Sequence, residues 1–153
     1  MSENADKAEA MFRSGFNCAQ SVLACCGGPR GVPRELAIRL AGPLGGGIGA
    51  TGKTCGAVTG ALMALGLKAV SPDPKDGEAK QKVYALTREF LRQFRERNGH
   101  TDCRDLVGID LSTPEGRRQF KEANLTVTIC VPLIRSAAEI VEEMLSDLSG
   151  EDK

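Results

Sequence analysis

Residues 55–67, about 13 in a row without a charge, constrain the fold of this chain more than any other segment. A helix needs roughly 20 such residues to cross a bilayer. The run is too short for that, and too apolar for a protein surface. Extended over residues 54–70, it reads as a helix buried on most of its sides, with the rest of the chain packed around it. Gly56, Gly60 and Ala64 recur at four-residue spacing and share one face. Small residues there let a second helix backbone approach closely, either in the core or across a homodimer.

The flanking segments also repeat with helical spacing. Helices are expected over residues 5–14, 17–26, 33–41, 76–98, 102–107, 114–124 and 129–148. The 76–98 segment carries Val83, Leu86, Phe90 and Phe94 as an apolar stripe widened by Leu91. Lys80, Arg88, Glu89, Arg92, Arg95 and Glu96 line its other faces as a solvated surface. Gly42-Pro43-Leu44-Gly45-Gly46-Gly47-Ile48-Gly49 is incompatible with regular structure. Residues 125–131 are β-branched enough for a strand, but an isolated strand has no partner, so they are assigned to a helix entry. The expected fold is all-α: a single domain over 1–153, a compact multi-helix bundle with a glycine-rich loop leading into a buried central helix.

Lys+Arg and Asp+Glu both number 20, so no bulk field draws the chain to nucleic acid or to an anionic membrane. Trp is absent and there is one Tyr, which removes the stacking platform of a single-strand binder. The first residues show no basic stretch followed by an apolar one, so a cytoplasmic protein without a signal peptide or membrane insertion is expected. In a reducing cytosol, six cysteines suit catalysis or metal binding better than structural disulfides.

Four of the six recur in one setting. Asn17-Cys18, Thr54-Cys55 and Asp102-Cys103 each place a good capping residue before a cysteine, and Cys130 follows Thr128 and precedes Pro132. Helix starts offer unpaired N–H groups and partial positive charge, which favour thiolate over thiol. Thiolate is the form that attacks disulfides and binds metals. Cys18, Cys55, Cys103 and Cys130 are therefore the candidate catalytic and metal-ligating residues. About 36, 47 and 26 residues separate them, with no CxxC, unlike zinc ribbons, ferredoxin runs or thioredoxin-like sites. They meet only if four helix starts converge. Such a set suits zinc or an iron–sulfur cluster, or, without metal, a dithiol–disulfide cycle. Cys25 and Cys26 lie roughly 10–12 Å along the helix from Cys18, too far to share one ion with it. They are assigned to packing, with a role in resolving oxidised sulfur as the alternative. His100, the only histidine, sits three before Cys103 and is assigned to a helix end, with a fifth-ligand or proton-donor role as its alternative.

Residues 47–54 fit the phosphate-loop pattern GxxxxGK(S/T), in which amides cradle phosphates, Lys53 reaches the β/γ oxygens and Thr54 binds magnesium. A phosphate loop follows a buried strand, and no strand pattern precedes this one. Nucleotide binding is carried as a rival reading.

Cys55-Gly56-Ala57-Val58-Thr59-Gly60 after a glycine-rich loop, with one cysteine upstream and two downstream, resembles the C_GCAxxG_C_C family of redox-active proteins. Gly15-Phe16-Asn17-Cys18-Ala19-Gln20-Ser21-Val22 resembles its first cysteine region, and Cys103 and Cys130 fill its last two positions. The resemblance spans about residues 12–140. It implies a redox role or metal binding through the four cysteines, with an electron partner of unknown identity and no defined substrate. Through a similar domain in split-Soret cytochromes, it also implies an iron–sulfur centre. The expected function is a redox protein or electron carrier, whether or not it is an enzyme. A non-catalytic interaction module with structural zinc is the second rival.

Overall fold

The computed structural model describes residues 2–151. Among these, eight α-helices follow one another: α1 Glu3–Arg13, α2 Cys18–Gly27, α3 Arg34–Ala41, α4 Gly56–Ala69, α5 Gly77–Asn98, α6 Cys103–Val107, α7 Pro114–Glu122 and α8 Val131–Glu151. The described residues contain no strand beyond one isolated bridge, between Thr54 and Asp102. The all-α expectation holds, with helix ends displaced by a few residues. No single helix among the described residues is long and apolar enough to cross a membrane.

The charge-free run forms α4, the central helix, which packs most extensively against α2 and also against α5 and α8. Its glycine face is filled from within the chain. A Cβ on Gly60 would lie 2.8 Å from the Ala19 carbonyl oxygen, and one on Gly56 would lie 2.9 Å from the Ala19 amide nitrogen. The face that sequence offered to a homodimer is thus occupied by α2. Around this pair, α1 lies on α8, where Arg135 bridges Asp6 and Glu9. From α5, Phe90 and Phe94 enter the core with no exposure, as do Ile134 and Ile140 from α8. Each such side chain contributes about 1.5–3 kcal/mol by leaving water. The charges of α5 face solvent, with Arg92 paired to Glu89 and Glu96.

The β-branched run before α8 is neither strand nor ordinary helix start. Asn124 turns the chain with φ +57, and Thr126–Cys130 then form a π-helical turn continuous with α8. Cys130 closes that turn and is not the first residue of a capped helix. A second, smaller core of Cys103, Val107 and Leu111 sits beside it, with Phe120, Leu125 and Ile129 packed on.

Candidate metal and redox centre

Each of the four cysteines arrives by a different local device. Asn17 caps α2 through a reciprocal box: its side chain accepts from the Gln20 amide, while the Gln20 side chain accepts from the Asn17 amide. The Asn17 amide group also donates to the Gly42 carbonyl at 3.0 Å, tying the start of α2 to the glycine-rich loop. Cys18 is therefore fixed at the first position of α2. Gly56 brings α4 against it, since a Cβ there would stand 3.1 Å from that of Cys18.

Cys55 and Cys103 are joined by a short backbone seam. The Cys55 amide donates to the Thr101 carbonyl at 2.9 Å, Cys103 to Lys53 at 2.7 Å, and Arg104 to Gly52 at 3.1 Å. Cys55 is itself the N-cap of α4, one place earlier than its pairing with Thr54 implies. The π-helical turn delivers Cys130.

The four sulfur-bearing side chains line one cavity of about 150 Å³. Its remaining wall is mainly apolar, with Phe12, Leu106, Val107, Leu111, Phe120 and Leu133, together with Gly46, Gly47, Gly56 and Asn17. Cys55, Cys103 and Cys130 are buried and Cys18 is partly buried; all six cysteines are free thiols. Cys18 and Cys130 are close enough for each to shift the other's protonation. The pKa of Cys18 is raised, first by the neighbouring Cys130 thiol and then by loss of water around its sulfur. The Cys18 thiol in turn lowers the pKa of Cys130 against the opposing effect of burial.

The helix-start argument for thiolates is overturned at the other two. Burial pushes Cys55 up to about 12, although the nearby amides of Ala57 and Val58 act to lower it. Cys103 is pushed up to about 11, first by burial and then by Cys130 and Asp102. Desolvation of a charged sulfur outweighs the partial charge of a helix end here. Without a cation, these sulfurs are thiols.

The other candidates stay outside. Cys25 and Cys26 do not line the cavity. Cys26 is fully buried in the main core, where burial holds it at about 12. His100 is exposed and does not reach the cavity wall. Among the described residues, no three His, Cys, Asp or Glu side chains are grouped tightly enough to hold one metal ion.

The segment matching the phosphate-loop pattern has its amides from Ile48 to Lys53 engaged elsewhere. Ile48, Gly49 and Ala50 donate to Leu44, Pro43 and Gly45, while Thr51, Gly52 and Lys53 donate to Ile48, Gly46 and Gly47. Thr54 lies in the bridge to Asp102 and not in the first turn of a helix. A phosphate cradle needs those N–H groups free. Titration with ATP and magnesium is expected to show no saturable binding, and Lys53→Ala to change nothing; affinity lost in the variant would restore the nucleotide reading.

Sequence reasoning missed the closeness of Cys18 to Cys130 and the part played by Gly46 and Gly47. The glycines were legible as a loop, but not as cavity wall. Residues 46–50 all have left-handed φ, from +59 to +70. Ile48 and Ala50 are among them, each at a cost of about 1–2 kcal/mol for an L-residue.

A family model described as "Putative redox-active protein (C_GCAxxG_C_C)" matches residues 16–144, a span that includes all four cavity cysteines. No curated protein and no solved structure matches the chain significantly. The family's name sets Gly before Cys, whereas Cys55 precedes Gly56 here. The crowding of position 56 by α2 explains why a side chain is excluded from it.

Proposed function

We propose, from the premise that this chain belongs to the C_GCAxxG_C_C family of redox-active proteins, that it carries electrons, with Cys18, Cys55, Cys103 and Cys130 together holding one iron–sulfur cluster. The observation behind this reading is that four cysteines from separate elements line one largely apolar cavity. Soft thiolate sets select zinc, copper(I) or iron–sulfur clusters. One tetrahedral zinc at a Zn–S length of about 2.3 Å needs its sulfurs about 3.8 Å apart, a tighter grouping than these side chains make. A cluster accepts thiolates spread more widely than a single ion does. Bound metal also removes the protonation problem, because a coordinating thiol is deprotonated outright.

When bound, such a cluster supplies one-electron transfer. The chain supplies the rest. The amides of Ala57 and Val58 offset charge on the Cys55 sulfur. Phe12, Leu106, Phe120 and Leu133 limit water in the cavity. The seam between residues 52–55 and 101–104 keeps Cys55 and Cys103 in fixed relation.

The test is anaerobic purification, or reconstitution with iron and sulfide, followed by iron and acid-labile sulfide analysis and a visible spectrum. Iron and sulfide in comparable amounts, with a charge-transfer band, support the reading; zinc alone, or no metal after reconstitution, sinks it. The closeness of Cys18 to Cys130 favours a second reading, a dithiol–disulfide pair in the metal-free chain. It predicts that mild oxidation of that chain removes two titratable thiols. Cys18→Ala or Cys130→Ala abolishes the loss, whereas Cys25→Ala does not.

A further inference from the structure

Resting on the cluster reading, we propose that the backbone amides of Gly46 and Gly47 are hydrogen-bond donors to the sulfur of the bound group, and thereby raise its reduction potential. Both residues line the cavity with the four cysteines. Among the described residues, neither amide donates to a protein acceptor, although every amide from Ile48 to Lys53 does. Their carbonyls are turned back into the loop, where Gly46 accepts from Gly52 at 3.2 Å and Gly47 accepts from Lys53 at 2.9 Å. Thr51 Oγ1 also donates to Gly47 at 2.9 Å. Without side chains, and with their oxygens committed elsewhere, these residues have only Cα and the amide edge left to turn toward the cavity they line. Gly47 is buried, and a buried N–H is seldom left without an acceptor in a folded protein. Cys103 stands beside it: a Cβ on Gly47 would lie 2.6 Å from that of Cys103, and as near the Lys53 carbonyl oxygen, which already accepts from the Cys103 amide.

The backbone conformation is what exposes this edge. Consecutive amides in a left-handed turn form a concavity of the kind that holds phosphates and iron–sulfur groups. Residues 46–50 maintain it even through Ile48, a β-branched residue that rarely adopts positive φ. Hydrogen bonds to sulfur are among the determinants of cluster potential. They favour the reduced form, which carries the extra negative charge.

The clean test deletes an N–H without adding an atom. A synthetic segment 1–54 carrying glycolic acid at position 46 or 47 is ligated to an expressed segment beginning at Cys55. This exchanges one amide for an ester in the full chain. Glycolic acid at Gly49, whose amide donates to Pro43, is the control for general loop weakening. After reconstitution, the esters at 46 and 47 are expected to retain iron and to shift the potential downward relative to both the control and the unmodified chain. Equal potentials in all loaded proteins overturn the inference while leaving the cluster intact; an unmodified chain that never loads overturns the cluster reading first, and this inference with it. Should the esters fail to load, ¹⁵N resonances of the unmodified loaded chain decide the matter. Gly46 and Gly47 are expected to carry hyperfine shifts that Gly49 and Gly52 lack, and the absence of that contrast rejects the donors.

Discussion

Replacing any one of Cys18, Cys55, Cys103 or Cys130 with alanine is expected to lower iron retention by more than about tenfold, because loss of even an outer-shell partner of a metal ligand costs 10–100-fold in affinity. The four losses should be alike in kind. Each sulfur comes from a different element, so no neighbouring cysteine can replace it: α2 supplies Cys18, the cap of α4 Cys55, α6 Cys103 and the π-helical turn Cys130. Cys25→Ala is the matched control, because Cys25 lies outside the cavity wall. Iron per chain, measured after identical anaerobic reconstitution, with helicity by circular dichroism to confirm folding, separates the cases. Full loading of two or more of the four single variants would remove the common centre from the account.

The elements of the fold were legible because helical spacing and glycine or proline breaks are local signals. The stripe from Val83 to Phe94 and the charge-free run of α4 needed no knowledge of their neighbours. What stayed hidden depends on distant partners. The seam joining residues 52–55 to 101–104 is made of backbone bonds, which leave no pattern in side-chain identity. The π-helical turn before α8 looks like a strand by composition, and only the absence of a partner strand argued otherwise. The convergence of four cysteines was inferred from their settings, yet the protonation inferred from the same settings was wrong. A capping position reports the dipole at one helix end, while the degree of desolvation depends on what the rest of the chain places around the sulfur. Cys55 shows both at once, with two amides at the helix start acting to lower its pKa and burial still raising it to about 12.

The close approach of α2 and α4 gives the second large effect, and it links stability to the site. Gly60→Ala places a methyl group 2.8 Å from the Ala19 carbonyl oxygen and 3.2 Å from both its Cα and the Val22 Cβ. Helix backbone cannot turn aside as a side-chain tip can, so the helices must separate, at the upper end of the usual overpacking cost of about 1–3 kcal/mol. Better helix propensity for alanine returns about 1 kcal/mol. A net loss of about 2 kcal/mol is expected, equivalent to a Tm lower by about 4–8 °C in a domain of this size. Gly66→Ala in the same helix meets nothing nearer than the Val70 Cγ2 at 3.7 Å. It receives the propensity gain without the clash and should raise stability by about 1 kcal/mol. Because Cys18 and Ala19 begin α2 and Gly56 begins α4, separating the helices also moves Cys18 away from Cys55. Gly60→Ala should therefore lose iron as well as stability, whereas Gly66→Ala keeps its iron. If both variants gain stability alike, the glycines of α4 are not what draws the two cysteines together.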